Sequence, residues 1–174
     1  MSHFSELLQR NQRFAASAHA PLPMVATLNT LVVSCLDARA DPAHFLGLEP
    51  GEALVIRNSG GRATQDVQQQ IGMLLAMMRQ MMGPDAKFDV VLVHHTQCGM
   101  ERLGNPKVRA GLSAASGVPI ESLECLAITD HDESLREDLE LLRNSAWVPA
   151  GISVTGARYD QQNGTLNRVF SELT

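Results

Sequence analysis

The sequence predicts an α/β fold with a mainly parallel β-sheet flanked by helices. Three observations carry this. Short β-branched apolar runs recur at TLVVSC, ALVIR and FDVVLV. A long amphipathic helical pattern separates the second run from the third, and two of the runs end in residues fit for chemistry. Strand and helix in alternation is the pattern of a parallel sheet. At 174 residues the chain reads as a single domain, 1–174, with residues 1–20 as an N-terminal helical arm.

The elements follow in order. Residues 5–17 form a helix with Phe4, Leu7, Leu8 and Phe14 roughly on one side, and the two prolines of HAPLPM end regular structure. The first strand is 30–35. Pro50-Gly51 makes a turn before a second strand at 53–57. After SGG, Thr64 is placed to cap a helix that has Asp66 in its first turn. Val67, Ile71, Leu74, Leu75, Met78 and Met82 keep helical spacing until Gly83-Pro84 stops it. The methionines on it read as packing residues. Residues 88–93 are the third and most apolar strand. The segment 105–126 mixes helix and loop. A helix follows, capped by Asp132, with Leu135, Leu139 and Leu142 along one side. GISVTGARYD is a strand, QQNGT a turn, and LNRVF its return.

Composition narrows the function classes. A net charge of −5 and only seven aromatic residues leave no basic, aromatic-studded stripe, which predicts no nucleic-acid partner and no membrane surface. No run approaches a spanning helix and the N-terminus lacks a signal-peptide core, so the expected location is cytoplasmic. Three cysteines, Cys35, Cys98 and Cys125, form no secreted framework. Cys125 lacks a partner at ligand spacing and is expected in the core.

The chemistry gathers where strands end. Cys35, Asp37 and Arg39 alternate along extended chain and share a side. His95 and Cys98 follow the third strand. In open parallel sheets such strand ends converge at a topological switch point. Two sulfurs and an imidazole suit zinc, with three protein ligands and an open fourth position. Asp37 is a fourth group that either binds the metal or steps aside, and a guanidinium at Arg39 weakens it as a competing ligand. His94 should point away from the site in extended chain, in a structural role. His131 reads as a solvated helix start. In RNSGG, Asn58 and Ser59 are candidates to line the pocket, with Gly60 and Gly61 letting the loop pass close. Arg57 is open between bracing the site and bracing a second subunit. No Walker lysine follows the glycines, which argues against nucleotide binding.

These motifs, C-x-D-x-R, RNSGG and H-x-x-C-G-M over residues 21–103, resemble the β-class carbonic anhydrase family, in particular its short-chain branch. VTGARYDQQNGTLNRV is similar to the family's closing strand pair. The resemblance implies a β-carbonic anhydrase-like fold with an N-terminal dimerisation helix and a homodimer or homotetramer. It also implies one Zn2+ per subunit on Cys35, His95 and Cys98, with Asp37 and Arg39 as the dyad that opens the metal to water. Ser59 and Gln97 depart from the residues usual in short members, which makes both tentative pocket determinants. The implied activity is attack of zinc-activated hydroxide on a linear heterocumulene, reversible hydration of carbon dioxide (CO2) to bicarbonate. The alternative is hydrolysis of carbonyl sulfide (COS) or carbon disulfide (CS2), releasing hydrogen sulfide on the same scaffold. A non-catalytic zinc-stabilised interaction module is the third reading. A carboxylate–guanidinium dyad beside the metal has no use there. A thiol redox protein would want a Cys-x-x-Cys, which is absent.

Overall fold

The computed structural model describes residues 2–17 and 21–174; residues 1 and 18–20, part of the expected N-terminal arm, lie outside the described residues. The elements run α1 (His3–Ala16), β1 (Thr30–Cys35), α2 (Pro42–Phe45), β2 (Leu54–Asn58), α3 (Gln65–Met82), β3 (Asp89–His95), α4 (Pro106–Ser116), α5 (Ile120–Cys125), α6 (His131–Arg143), β4 (Ser153–Tyr159) and β5 (Leu166–Leu173). The sheet order is β2-β1-β3-β4-β5. The first four strands are mutually parallel and β5 returns antiparallel to β4. The chain therefore steps outward from β1 to β2 and crosses back to β3, making the switch point lie between β1 and β3.

Central strands covered on both faces should read as continuous apolar runs rather than alternating ones. β1 obeys this, with Leu31 to Cys35 all buried. Val67, Ile71, Leu75 and Met78 of α3 are buried at helical spacing and join Leu135, Leu139 and Leu142 of α6 in one core with Leu31, Val33, Val90, Leu92 and Val154. Where β4 meets β5 the register shifts between Gly156 and Ala157. A Cβ at Gly156 would lie 2.3 Å from the Phe170 ring, so only glycine lets that ring lie across the strand.

Four expectations are corrected in detail. The cap of α6 is Asp130, not Asp132: its extended backbone lets the side chain accept from Glu133 N at 2.9 Å. Asp132 sits within the first turn and pairs with Arg158. Thr64 holds the N-cap position of α3 without a side-chain capping bond. Cys125 is exposed rather than in the core. On the short α5 it is Leu123 that turns inward, leaving Cys125 to border a surface groove with Arg136 and Glu140. β3 also runs two residues beyond the expected end, because His94 and His95 pair with Arg158 and Tyr159 of β4.

α1 exists, with Ser2 as its cap, but buries none of its residues; Phe4 is 72% and Leu7 59% exposed. Among the described residues no helix is long and apolar enough to cross a membrane.

A buried ion pair ties the loop after β2 to α6. Arg62 Nε donates to both oxygens of Asp138, at 3.0 and 3.1 Å, and its NH1 donates to the Ala127 carbonyl. Removing one member strands the other charge in the interior. Asp138→Ala should therefore lower unfolding free energy by about 3–5 kcal/mol, read from urea denaturation. A loss below about 1 kcal/mol, typical of an exposed pair, would show the linkage to be solvated.

Candidate metal centre

Cys35 ends β1, His95 ends β3, and Cys98 follows three residues later. The three side chains are buried and their ligand atoms lie within 4.8 Å of one another. The two sulfurs are 3.8 Å apart. Two thiolates each about 2.3 Å from a tetrahedral ion would also be about 3.8 Å apart.

His95 supplies the second test of fit. Its Nδ1 lies 3.0 Å from the Thr96 carbonyl oxygen, an acceptor only, so Nδ1 carries the hydrogen. Nε2 then presents a lone pair, and it is buried with no hydrogen-bond partner. A ligating histidine typically donates its other ring N–H in this way. The donor set and its orphaned nitrogen fit a thiophilic tetrahedral ion such as zinc.

The thiols are electrostatically coupled. The hydrogen bond between them draws the Cys35 thiol well below its ordinary value and pushes Cys98 up, so one proton is held between two sulfurs. Backbone N–H groups of Asp37 and Gly60 add to the lowering at Cys35. Burial opposes charge on His95, but the negative charge of the neighbouring Cys35 outweighs it and its pKa is raised. A cation at the centre replaces these protons, since both sulfurs bind metal as thiolates.

Asp37 and Arg39 lie on the loop after Cys35. Arg39 Nε donates to Asp37 Oδ1 at 3.0 Å and its NH2 to Oδ2 at 2.6 Å, a two-pronged pair. These bonds, first from the Arg39 side chain and then from its backbone N–H, hold the Asp37 carboxyl well below the usual carboxylate range. Arg39 also donates to the Gln97 carbonyl, joining the dyad to the second ligand loop. Asp37 Oδ2 stands 4.0 Å from His95 Nε2. Both carboxylate oxygens are turned to the guanidinium.

Arg57 is resolved as a brace of the site. It donates to the Cys35 carbonyl at 2.9 Å, the Asp37 carbonyl at 2.7 Å and the Asp41 carboxylate at 3.0 Å, clamping the loop that carries the dyad. Gly61 has φ +71°, and a Cβ there would lie 2.8 Å from the Val93 carbonyl oxygen. The glycine loop is thus seated directly on the ends of β1 and β3. Asn58 points into the loop and donates to the Arg62 carbonyl, while its Oδ1 is buried without a partner. Ser59 opens the 3-10 turn Ser59–Gly61. Gln97 is exposed and adopts a left-handed φ of +59°, so its backbone, not its side chain, is what the dyad uses.

His94 points away from the ligands. It is fully buried, and its Nε2 lies 3.2 Å from Asp138 Oδ2. Burial lowers its pKa despite that carboxylate, which keeps the imidazole neutral. His131 is less solvated than expected: Nε2 is 2.9 Å from Glu101 Oε1, and its ring meets His94 edge-on at 5.9 Å.

Glu101 was legible in the sequence and missed. Cys98-x-x-Glu101 is a capping box with cysteine in the capping position: the Glu101 side chain accepts from the Cys98 backbone N–H at 2.9 Å. It fixes the turn that presents the second thiol. Arg62 and Asp138 carry no motif and meet only through the fold.

Comparison with known proteins agrees. A carbonic anhydrase family profile matches residues 30–114. The chain is 31% identical over 170 residues to β-carbonic anhydrase 1 of Mycobacterium tuberculosis, covering 97% of this chain and 99% of that one. It is 24% identical over 160 residues to a carbon disulfide hydrolase of an Acidianus strain, covering 79% and 75%. Its structure superposes on a Streptococcus mutans carbonic anhydrase with a TM-score of 0.80 at 34% identity, covering 98% and 99%. The chain belongs to the β-carbonic anhydrase family, a family of enzymes that includes relatives acting on carbon disulfide.

Glu101→Ala should weaken metal binding about tenfold, as loss of a partner that orients a ligand does. Chelator competition measures this; an unchanged dissociation constant would remove Glu101 from the centre.

Proposed function

We propose that this protein hydrates carbon dioxide reversibly to bicarbonate, with zinc held by Cys35, His95 and Cys98. The observation that carries the reading is the pair of sulfurs 3.8 Å apart beside an unpartnered His95 Nε2, with Asp37 turned to Arg39. Zinc held there would bring the pKa of a bound water toward about 7.

The rest falls to side chains. Asp37 stays ionised because of Arg39, so it accepts a hydrogen bond from the attacking water and does not act as a proton donor. Arg39 fixes the carboxylate from both prongs and from its backbone. This pre-set geometry aims a lone pair of the nucleophile at the substrate carbon. Asn58, Ser59, Gly60, Gly61 and Gln97 form the proposed pocket rim. Each turnover converts CO2 and water to bicarbonate and a proton.

A second reading is favoured by the likeness to the carbon disulfide hydrolase. The same attack on carbonyl sulfide with one water gives carbon dioxide and hydrogen sulfide. Carbon disulfide with two waters gives carbon dioxide and two hydrogen sulfides. Ser59 and Gln97 are the first residues to exchange if this branch holds.

We also propose a homodimer as the minimal unit. Phe4, Leu7 and Leu8 leave apolar area in water on a helix that buries nothing against its own chain, and pairing two copies would remove it.

Purified zinc-loaded protein should release protons rapidly from CO2. Hydrogen sulfide from COS or CS2 with poor CO2 hydration would favour the second reading, and neither activity would leave the non-catalytic module. Cys98→Ser should lose both metal and turnover. Asp37→Ala should keep zinc yet lose about 100-fold or more in turnover, within the range for a polar group acting in the transition state; full activity would sink the dyad's role. Sedimentation should give a dimer or larger species at micromolar concentration, and a stable monomer would refute the pairing.

A further inference from the structure

The hairpin that closes the sheet reaches back to the histidine. Gln161 lies two residues past the end of β4, outside the family match at residues 30–114. Its backbone N–H donates to Thr96 Oγ1 at 3.0 Å, and Thr96 N–H in turn donates to the Tyr159 carbonyl. These two bonds hold the turn against the end of β3. The Gln161 side-chain amide then lies against His95 Nδ1, its Nε2 placed 3.2 Å from the ring nitrogen.

The chemistry of that contact is determined by the neighbour on the other side. Thr96 O can only accept, so His95 Nδ1 carries a hydrogen. Were the amide to offer its NH2 group, donor would face donor. The two ends of a glutamine amide are interchangeable in shape, so the network decides which is presented. It decides for Oε1, which shares the Nδ1–H with the Thr96 carbonyl.

We propose that Gln161 is a positioning residue of the metal centre: its amide oxygen fixes the tautomer and tilt of His95, keeping Nε2 aimed toward Cys35 and Cys98. The inference rests on the reading of those three residues as metal ligands. It adds to the centre a side chain contributed by the β4–β5 turn, some 66 residues from the histidine it holds. The contact is a pure acceptor role, so replacing the amide by a carboxylate strengthens it and replacing it by an alkyl group abolishes it. Outer partners of this kind typically change metal affinity by about 10- to 100-fold. The Gln161 backbone bond to Thr96 Oγ1 is untouched by either change, so the hairpin stays docked.

The test uses full-length Gln161→Leu and Gln161→Glu. Zinc dissociation constants from chelator competition should be about tenfold weaker for the leucine variant and tighter than wild type for the glutamate variant. Metal-free unfolding free energies should stay close to wild type in both. In metal-free protein, the His95 Nδ1–H proton resonance should shift downfield with glutamate and exchange faster with solvent with leucine. Affinities within twofold of wild type in both variants, or movement of both in one direction alongside lost stability, would overturn the proposal. If wild-type protein takes up no stoichiometric zinc, the metal-centre reading fails by itself. The imidazole resonance then still decides whether Gln161 holds the Nδ1–H: a resonance unmoved by both substitutions refutes it, and a shifted one upholds it.

Discussion

Parallel pairing of β1 with β3, in the register that sets Leu31 beside Val90 and Val33 beside Leu92, is the constraint from which the site follows. Both strands are buried over most of their length, so a slip of one residue would exchange the side chains packed on the two faces across the whole ladder. With that register fixed, the strands end side by side, and Cys35 and Cys98 meet across a separation of 63 residues. The crossing from β2 back to β3 places this meeting at the switch point, where loops diverge and leave a crevice.

The two ligand loops are then stiffened from different directions. Arg57 clamps the loop that carries Asp37 through backbone carbonyls, and the glycine turn sits on the strand ends where a side chain has no room. Glu101 fixes the Cys98 turn and is itself held by His131. Behind them, Arg62 and Asp138 join the glycine loop to α6, and Asp138 also engages His94 next to the histidine ligand. Nearly every charged group at the site is paired, which leaves His95 Nε2 conspicuous as a buried lone pair without a partner.

Much of this was legible in the sequence, and for definite reasons. The strands TLVVSC and FDVVLV announced themselves by apolar continuity, and the Cys35, His95 and Cys98 cluster that could hold a metal stood at their ends. Cys35, Asp37 and Arg39 share a side because extended chain alternates. Three kinds of feature were not legible. Asp130 and Asp132 are both acidic residues at the start of the same helix, and only the backbone angles show that Asp130 is the cap. Cys125, with no partner at ligand spacing, reads as a core residue, while a six-residue helix shows one narrow face to the core and Leu123 takes it. Arg62 and Asp138 behind the site, and Gln161 against His95, come from segments that meet only after the sheet is assembled. Glu101 differs: its capping-box spacing was visible, but the box was hidden by a cysteine where serine or threonine is usual.

The central claim is a metal held by two thiolates and one imidazole with the fourth direction open. X-ray absorption at the zinc edge of the loaded protein tests it most directly. Two sulfurs at about 2.3 Å and two nitrogen or oxygen neighbours at about 2.0–2.1 Å are expected. A shell of three or more sulfurs, or one of light atoms alone, would contradict it.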